Sequence, residues 1–261
     1  MRRPRSRGDA GLGVLGLLGL AAAIEIVPRV GWVSPAYLPP FSAMIVALVR
    51  EAAAPAFWLA LLDTAVGWAL GLAIAVAAGV VAGVALGSVA ILREATASTI
   101  EFLRPVPSVA LIPVAVLLYG AQLPSKLLLV VYASFWPVML QVIHGIADVD
   151  PVARDTARSY RLSACARIRY LLLPTALPYL MTGVRLAAAV ALILAITAEL
   201  VIGVPGLGKE IGVAVASSAV APMYALILVV GLFGVAVNVA CRALERRVLR
   251  WHTSVRLEAV T

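Results

Sequence analysis

Two kinds of residue in this chain could do chemistry: a glycine-rich loop that ends in lysine, and a few carboxylates set among apolar residues. Residues Gly203–Glu210 read GVPGLGKE, one residue short of the loop GxxxxGK[ST], whose amides cradle phosphates while its hydroxyl holds Mg²⁺. Glu210 stands where the Ser or Thr would be, and a carboxylate there repels phosphate. That loop also needs a strand before it, and here an apolar run precedes it. The match is a decoy: no catalytic residue is assigned, and ATP hydrolysis is not expected of this chain. Metal chemistry finds no support either, since His144 and His252 lack ligand-like neighbours and no HExxH or CxxC pattern occurs. The carboxylates Glu25, Asp63 and Glu199 remain, and their meaning depends on the segments that hold them.

Those segments are apolar. The 261 residues are 63% hydrophobic and only 13% charged, with mean hydropathy +1.04, whereas soluble domains carry about 25% charged residues. Runs from Gly11 to Val27, from Phe57 to Leu86 and from Tyr224 to Ala240 approach or exceed the roughly 20 residues that cross a bilayer core. Further spans are expected from Pro105 to Gly120, broken by prolines, from Ser125 to Gly145, and from about Pro178 to Ile202. In lipid every backbone polar group must bond internally, so the spans are helices. The reading is an all-α integral membrane protein of about six transmembrane helices.

Sidedness follows from lysine and arginine, which accumulate in short cytoplasmic loops. With the N-terminus inside, the inner segments hold Arg2, Arg3, Arg5, Arg7, Arg93, Arg104, Arg154, Arg158, Arg161, Arg167, Arg169, Arg242, Arg246, Arg247, Arg250 and Arg256. The outer segments hold Arg29, Arg50, Lys126 and Lys209, and Arg185 falls inside a span. An N-in, C-in topology accounts for this bias, and with it for the net charge of +8, so a nucleic-acid partner is not expected. Residues 1–10 form a basic cytoplasmic N-terminus, 11–241 the membrane domain, and 242–261 a basic cytoplasmic tail. The basic start before an apolar run resembles a signal peptide, but without a clean cleavage site it is read as a retained first helix. Cys165 and Cys241 both fall on the reducing inner side, so no disulfide is expected.

The long inner loop, about residues 145–176, carries the most information. Asp150 can cap a helix whose first turn contains Pro151, and Ser163 can cap a second, arginine-studded helix, after which Pro174 and Pro178 interrupt the chain before it re-enters the membrane. Two amphipathic helices on the inner face make a docking surface, or a basic loop held against anionic lipid.

The loop resembles the cytoplasmic loop of permease subunits in binding-protein-dependent ABC importers: EAA, three residues, Gly, nine residues, then I-x-L-P. Asp155, Thr156 and Ala157 stand at EAA, and Leu171, Leu173 and Pro174 stand at I-x-L-P with the spacing intact. LRPVPSVALIPVAVLLYG from Leu103, HGIADVD from His144, LPTALPYLMTGVRLA from Leu173, AEL from Ala198 and LERRVLRWH near the C-terminus resemble permeases for nitrate, sulfonates and taurine. The one departure is Arg161, which occupies the family's glycine; it implies a different turn or a new salt bridge to the ATPase.

The resemblance implies a homodimer of permease chains in the bacterial inner membrane, with two ABC ATPase subunits on the cytoplasmic side and an extracytoplasmic solute-binding protein. ATP and Mg²⁺ would be bound by the ATPase, with no cofactor in this chain. It makes Asp155, Thr156, Ala157, Arg158, Ser159, Tyr160 and Arg161 the coupling contacts. For the translocation pathway the candidates are Ser108 and Pro113 on the proline-broken span, Ser134 and Gln141 on the next, and Glu199. Intramembrane Glu199 is by default functional; the other reading, which is preferred, is an anchor paired with Arg185 or a backbone amide. Glycines 67, 71, 79, 83 and 87 repeat every four residues in two sets, a spacing that lets membrane helices pack closely. A membrane enzyme or a purely structural subunit are the competing readings. The solute is expected to be small, organic rather than inorganic, and anionic or neutral.

Overall fold

A computed structural model describes residues 7–250; the N-terminal arginines through Arg5, and His252 and Arg256 in the tail, lie outside them. Every regular element among the described residues is helical: α1 (Arg7–Arg29), α2 (Phe41–Ala52), α3 (Pro55–Ser88), α4 (Ala90–Leu103), α5 (Ile112–Tyr119), α6 (Leu123–Ala147), α7 (Pro151–Ser159), α8 (Ala164–Arg167), α9 (Leu173–Ile202), α10 (Leu207–Ala216) and α11 (Val220–Val248). A 3₁₀ turn at Ser108–Leu111 precedes α5, and a π turn at Ile168–Leu172 joins α8 to α9.

Among the described residues four helices are long and apolar enough to cross a membrane: α3, α6, the continuous Ala164–Ile202 helix, and α11. The expected span from Pro105 is not one helix. It is the second arm of a pair, Ala90–Leu103 and Ser108–Tyr119, bent by 83°: Arg104 is still helical, φ −56° and ψ −43°, but Pro105 and Pro107 then withhold two amides and the helix stops. The pair makes a fifth span if counted as one. The first expected span coincides with α1, where Leu12, Leu15, Leu17, Leu18 and Leu20 are all exposed, as side chains facing lipid would be.

Pro174 and Pro178 do not interrupt the chain as expected. Pro174 lies in the first turn of α9 and Pro178 inside it. The π turn just upstream widens the backbone and gives room to a ring that would otherwise strike the carbonyl four residues back. Three helices had no signal in the apolar pattern: α2, α4 and α10, each too short to cross alone.

The glycine repeat explains how α3 and α6 meet. Gly67 faces Lys126, Gly71 faces Val130, Gly79 faces Val138, Gly83 faces Val142 and Gly87 faces Ile146. The offset in sequence is the same each time, so the two helices run parallel with glycines forming the seam. A Cβ on Gly83 would lie 2.7 Å from Val142 Cβ and 2.9 Å from the Met139 carbonyl; the second contact is backbone and cannot swing away.

Against α9, α6 runs antiparallel: Gly145 packs on Ala176, Gly183 on Val138, and the Ser134 hydroxyl donates to the Ala187 carbonyl. The pairing of Arg185 with Glu245 and the contact of Gly234 with Leu192 set α11 antiparallel to α9. The core lies where these helices converge, with Leu129, Val130, Ala191 and Ala195 at its centre.

Parallel α3 and α6 demand that the chain return between them. From Gly67 to Gly87 the seam covers about 30 Å, and the bent pair must recover that height. Its two arms, each about 20 Å long and set at that angle, span roughly 30 Å. The ends therefore sort onto two faces. One gathers the ends of α3, α6 and α11 and the 148–172 loop; the other gathers the starts of α3, α6 and α11 and the Gly203–Gly206 turn.

Candidate functional site

The second face carries a buried polar knot. Lys126, in the first turn of α6, is 1% exposed, and Glu199, near the end of α9, is 0% exposed. The Lys126 ammonium donates to Glu199 Oε1 at 2.9 Å, to the Asp63 carbonyl at 2.9 Å and to the Pro205 carbonyl at 3.3 Å. These use all three of its protons. Glu199 Oε2 accepts from the Thr64 hydroxyl and from the Gly208 amide, both at 2.9 Å, while the Leu207 amide donates to Thr64 Oγ1. One point thus ties α3, α6, α9 and the start of α10.

Glycine is needed for that closeness. A Cβ on Gly206 or Gly208 would collide with Glu199, and Gly203 ends α9 in a left-handed conformation, φ 81°. The GVPGLGKE segment does cradle an anion, but the anion is the chain's own carboxylate. Glu199 bonds a backbone amide, as the anchor reading expected, yet its cationic partner is Lys126 and not Arg185. Arg185 pairs with Glu245 of α11. Lys126 is correspondingly not an outer-loop residue but a core one.

The remaining pathway candidates separate. Ser134 is buried and bonded to the Ala187 carbonyl, so with Glu199 it is committed inside the protomer. Ser108 and Gln141 are half-buried and Pro113 is exposed. None of the three lines the open groove of about 580 Å³ that the first half of α6 and the end of α5 form, where Tyr119, Leu128, Tyr132, Phe135 and Trp136 are among the lining residues.

On the first face, Asp150 accepts from the Val152 and Ala153 amides at 2.7 and 3.2 Å with Pro151 in the first turn, and Ser163 caps α8 through the Ala166 amide. Both caps fall where the sequence placed them. The loop is bolted to the bundle: the Tyr179 hydroxyl donates to Asp148 at 2.7 Å and Arg154 donates to the Ile146 carbonyl at 3.0 Å. Asp155, Thr156, Arg158, Ser159, Tyr160 and Arg161 are exposed, whereas Ala157 is 7% exposed and turned inward. Arg161 has φ 52°: the turn keeps the left-handed conformation that glycine suits, with arginine in it. Cys165 and Cys241 are free thiols, and no cluster of metal-ligating residues occurs among the described residues.

Long apolar helices tied by a buried ion pair, with a capped loop at one end, define a membrane-embedded helical protein. Residues 75–250 match the model of the binding-protein-dependent transport system inner membrane component family, and the chain belongs to that family. It is a multi-pass permease of the bacterial inner membrane. Relatives include a permease protein of Escherichia coli K12 named for aliphatic sulfonates transport, 32% identical over 94% of this chain and 93% of its own. The taurine transport system permease protein of the same organism is 31% identical over 85% and 83%. Among solved structures, the inward-facing MetNI methionine ABC transporter shares the fold, with TM-score 0.63 at 17% identity over 78% of this chain and 97% of that one.

Proposed function

We propose that this chain is the membrane subunit of an ATP-driven importer and that the 148–172 loop couples it to a separate ATPase. The observation that carries this reading is the loop's construction: a doubly capped corner, bolted to α6 and α9 and presenting Asp155, Thr156, Arg158, Ser159 and Tyr160 outward. The arginine-rich first face is the cytoplasmic one, α1 is the first of six spans, and both termini are inside. Two copies form the pathway at their interface, since one protomer's core is filled. Residues 1–10 and 242–261 flank the membrane domain as basic cytoplasmic segments.

ATP and Mg²⁺ belong to the ATPase, and a solute-binding protein meets the opposite face. When the ATPases close, each loop moves as a rigid corner. Through the Tyr179–Asp148 and Arg154–Ile146 contacts it carries α6 and α9 with it, and the Lys126–Glu199 knot transmits that motion to the start of α10. Ser108, Pro113 and Gln141 are the pathway contacts this arrangement leaves available. The solute is a small organic molecule; support comes from the relatives named for sulfonates and taurine.

Purification of the tagged chain from its native host, followed by mass spectrometry, tests the assignment. An ATPase and a solute-binding protein are expected to co-purify, and a Ser159→Trp variant, altered at an outward position, should lose the ATPase while remaining folded. Recovery of the chain without an ATPase, or with both forms behaving alike, refutes the coupling reading.

A further inference from the structure

The corner that ends α7 holds a contradiction between its backbone and its sequence. The Leu162 amide donates to the Ala157 carbonyl at 3.0 Å and the Arg161 amide to the Arg158 carbonyl at 2.9 Å, the paired bonds of a helix end that turns through one left-handed residue. That residue is Arg161, φ 52°. Glycine adopts this conformation freely, whereas a residue with a Cβ loses about 1 kcal/mol. A cation near a helix C-terminus recovers part of that, but Arg158 already occupies the last turn of α7.

Nothing among the described residues uses the Arg161 side chain. Its neighbours are engaged: Arg154 donates to the Ile146 carbonyl, and Arg158 lies 3.5 Å from Asp155. Arg161 is exposed and makes neither a salt bridge nor a side-chain hydrogen bond among the described residues. Next to it an open groove of about 490 Å³ runs between α7 and the π turn, with Ala153, Ala157, Leu162, Tyr170 and Leu171 among its lining. The groove is apolar where Ala157 and Leu162 meet. Its acidic group, Asp150, already accepts two amides.

Strained non-glycine residues persist where a function holds them. We infer that Arg161 is a recognition residue for the ATPase subunit: its guanidinium pairs with a carboxylate on that subunit, beside an apolar side chain of the same subunit seated in the Ala157–Leu162 groove. This rests on the reading that the loop docks an ATPase, and adds what the docking surface selects: an apolar side chain flanked by an acid.

The test measures binding of the purified full chain, in lipid nanodiscs, to the ATPase that co-purifies with it, at low and at high salt. Arg161→Gly removes charge and strain together, so the fold is retained and only the contact is lost. Affinity should fall about fivefold at low salt, the size of one partly exposed ion pair, and the difference should close at 0.5 M salt as screening takes over (a condition set at roughly a 4 Å screening length). Arg161→Lys should bind within about twofold of the parent, and Arg161→Glu more weakly than Arg161→Gly. Equal affinity of parent and Arg161→Gly at low salt overturns the inference, as does a loss that persists at high salt. If Ser159→Trp abolishes binding while Arg161→Gly binds as the parent does at low salt, the inference alone fails; if the parent binds no ATPase, the coupling reading falls with it.

Discussion

Breaking the Lys126–Glu199 knot should destabilise the protein severely, and neutralising both partners should be far milder than the sum of the single changes. Lys126 and Glu199 are 1% and 0% exposed and 2.9 Å apart, so neither can turn to solvent when the other is removed. Removing one member of such a pair costs about 3–5 kcal/mol, most of it from the charge left behind. Lys126→Met also strips the Asp63 and Pro205 carbonyls of a donor, adding about 1 kcal/mol for each one left buried without a partner. Thr64 and Gly208 still solvate Glu199, which sets Lys126→Met near the middle of that range. Glu199→Gln preserves shape but strands the ammonium on two carbonyls. In Lys126→Met/Glu199→Gln no charge is stranded, and the coupling should reach about 2–3 kcal/mol. At roughly 3 °C per kcal/mol for a chain of this size, each single variant loses about 10 °C in thermal unfolding followed by tryptophan fluorescence in detergent. The double should lose about 12 °C, well short of the roughly 20 °C that two independent changes would cost. Single variants within about 1 kcal/mol of the parent, or a double equal to the sum, would refute the account of the knot as a mutually dependent buried pair.

Three other outcomes follow from the packing and the loop. Gly83→Val inserts a branched side chain against the Met139 carbonyl, and should cost at least the roughly 1–3 kcal/mol of an overpacked core, measured as a lower unfolding temperature. Asp150→Ala removes the acceptor of two amides and should cost about 1 kcal/mol, localised by faster amide exchange in α7 and not in α9. Cys165 is exposed within the loop, so a membrane-impermeant maleimide should label it in inverted vesicles and not in right-side-out ones; the reverse pattern overturns the proposed orientation.

The helices were legible because lipid imposes apolar length directly on sequence, and the caps at Asp150 and Ser163 because a side chain that bonds nearby amides is a local decision. The Glu199 partner was not legible. Arg185 sits on the same helix about 21 Å away along its axis, beyond any side chain's reach, whereas Lys126 arrives from a different helix through the parallel register of α3 and α6. Counting cations by loop misplaces Lys126, since it begins a helix and its ammonium finds carbonyls instead of water. The glycine spacing pointed to close packing but named no partner; the partner depends on the bent pair returning the chain across the bundle. Helices α2 and α10 escaped because their stability comes from neighbours and not from a span's length. At Arg161 the sequence posed two outcomes, and the backbone chose the retained turn.

The parallel seam of α3 and α6 also bears on synthesis. Each glycine on α3 waits for a partner encoded about sixty residues later, roughly 3–12 s at a ribosome's elongation rate. During that interval the chain must descend through the bent pair while the grooved side of α3 stands open to the insertion machinery or to lipid tails. A bulkier side chain on the seam would therefore act first as a defect of biogenesis, leaving α3 inserted but unmated when α6 arrives. Its signature would be early proteolysis of nascent chains, ahead of any loss in the mature protein.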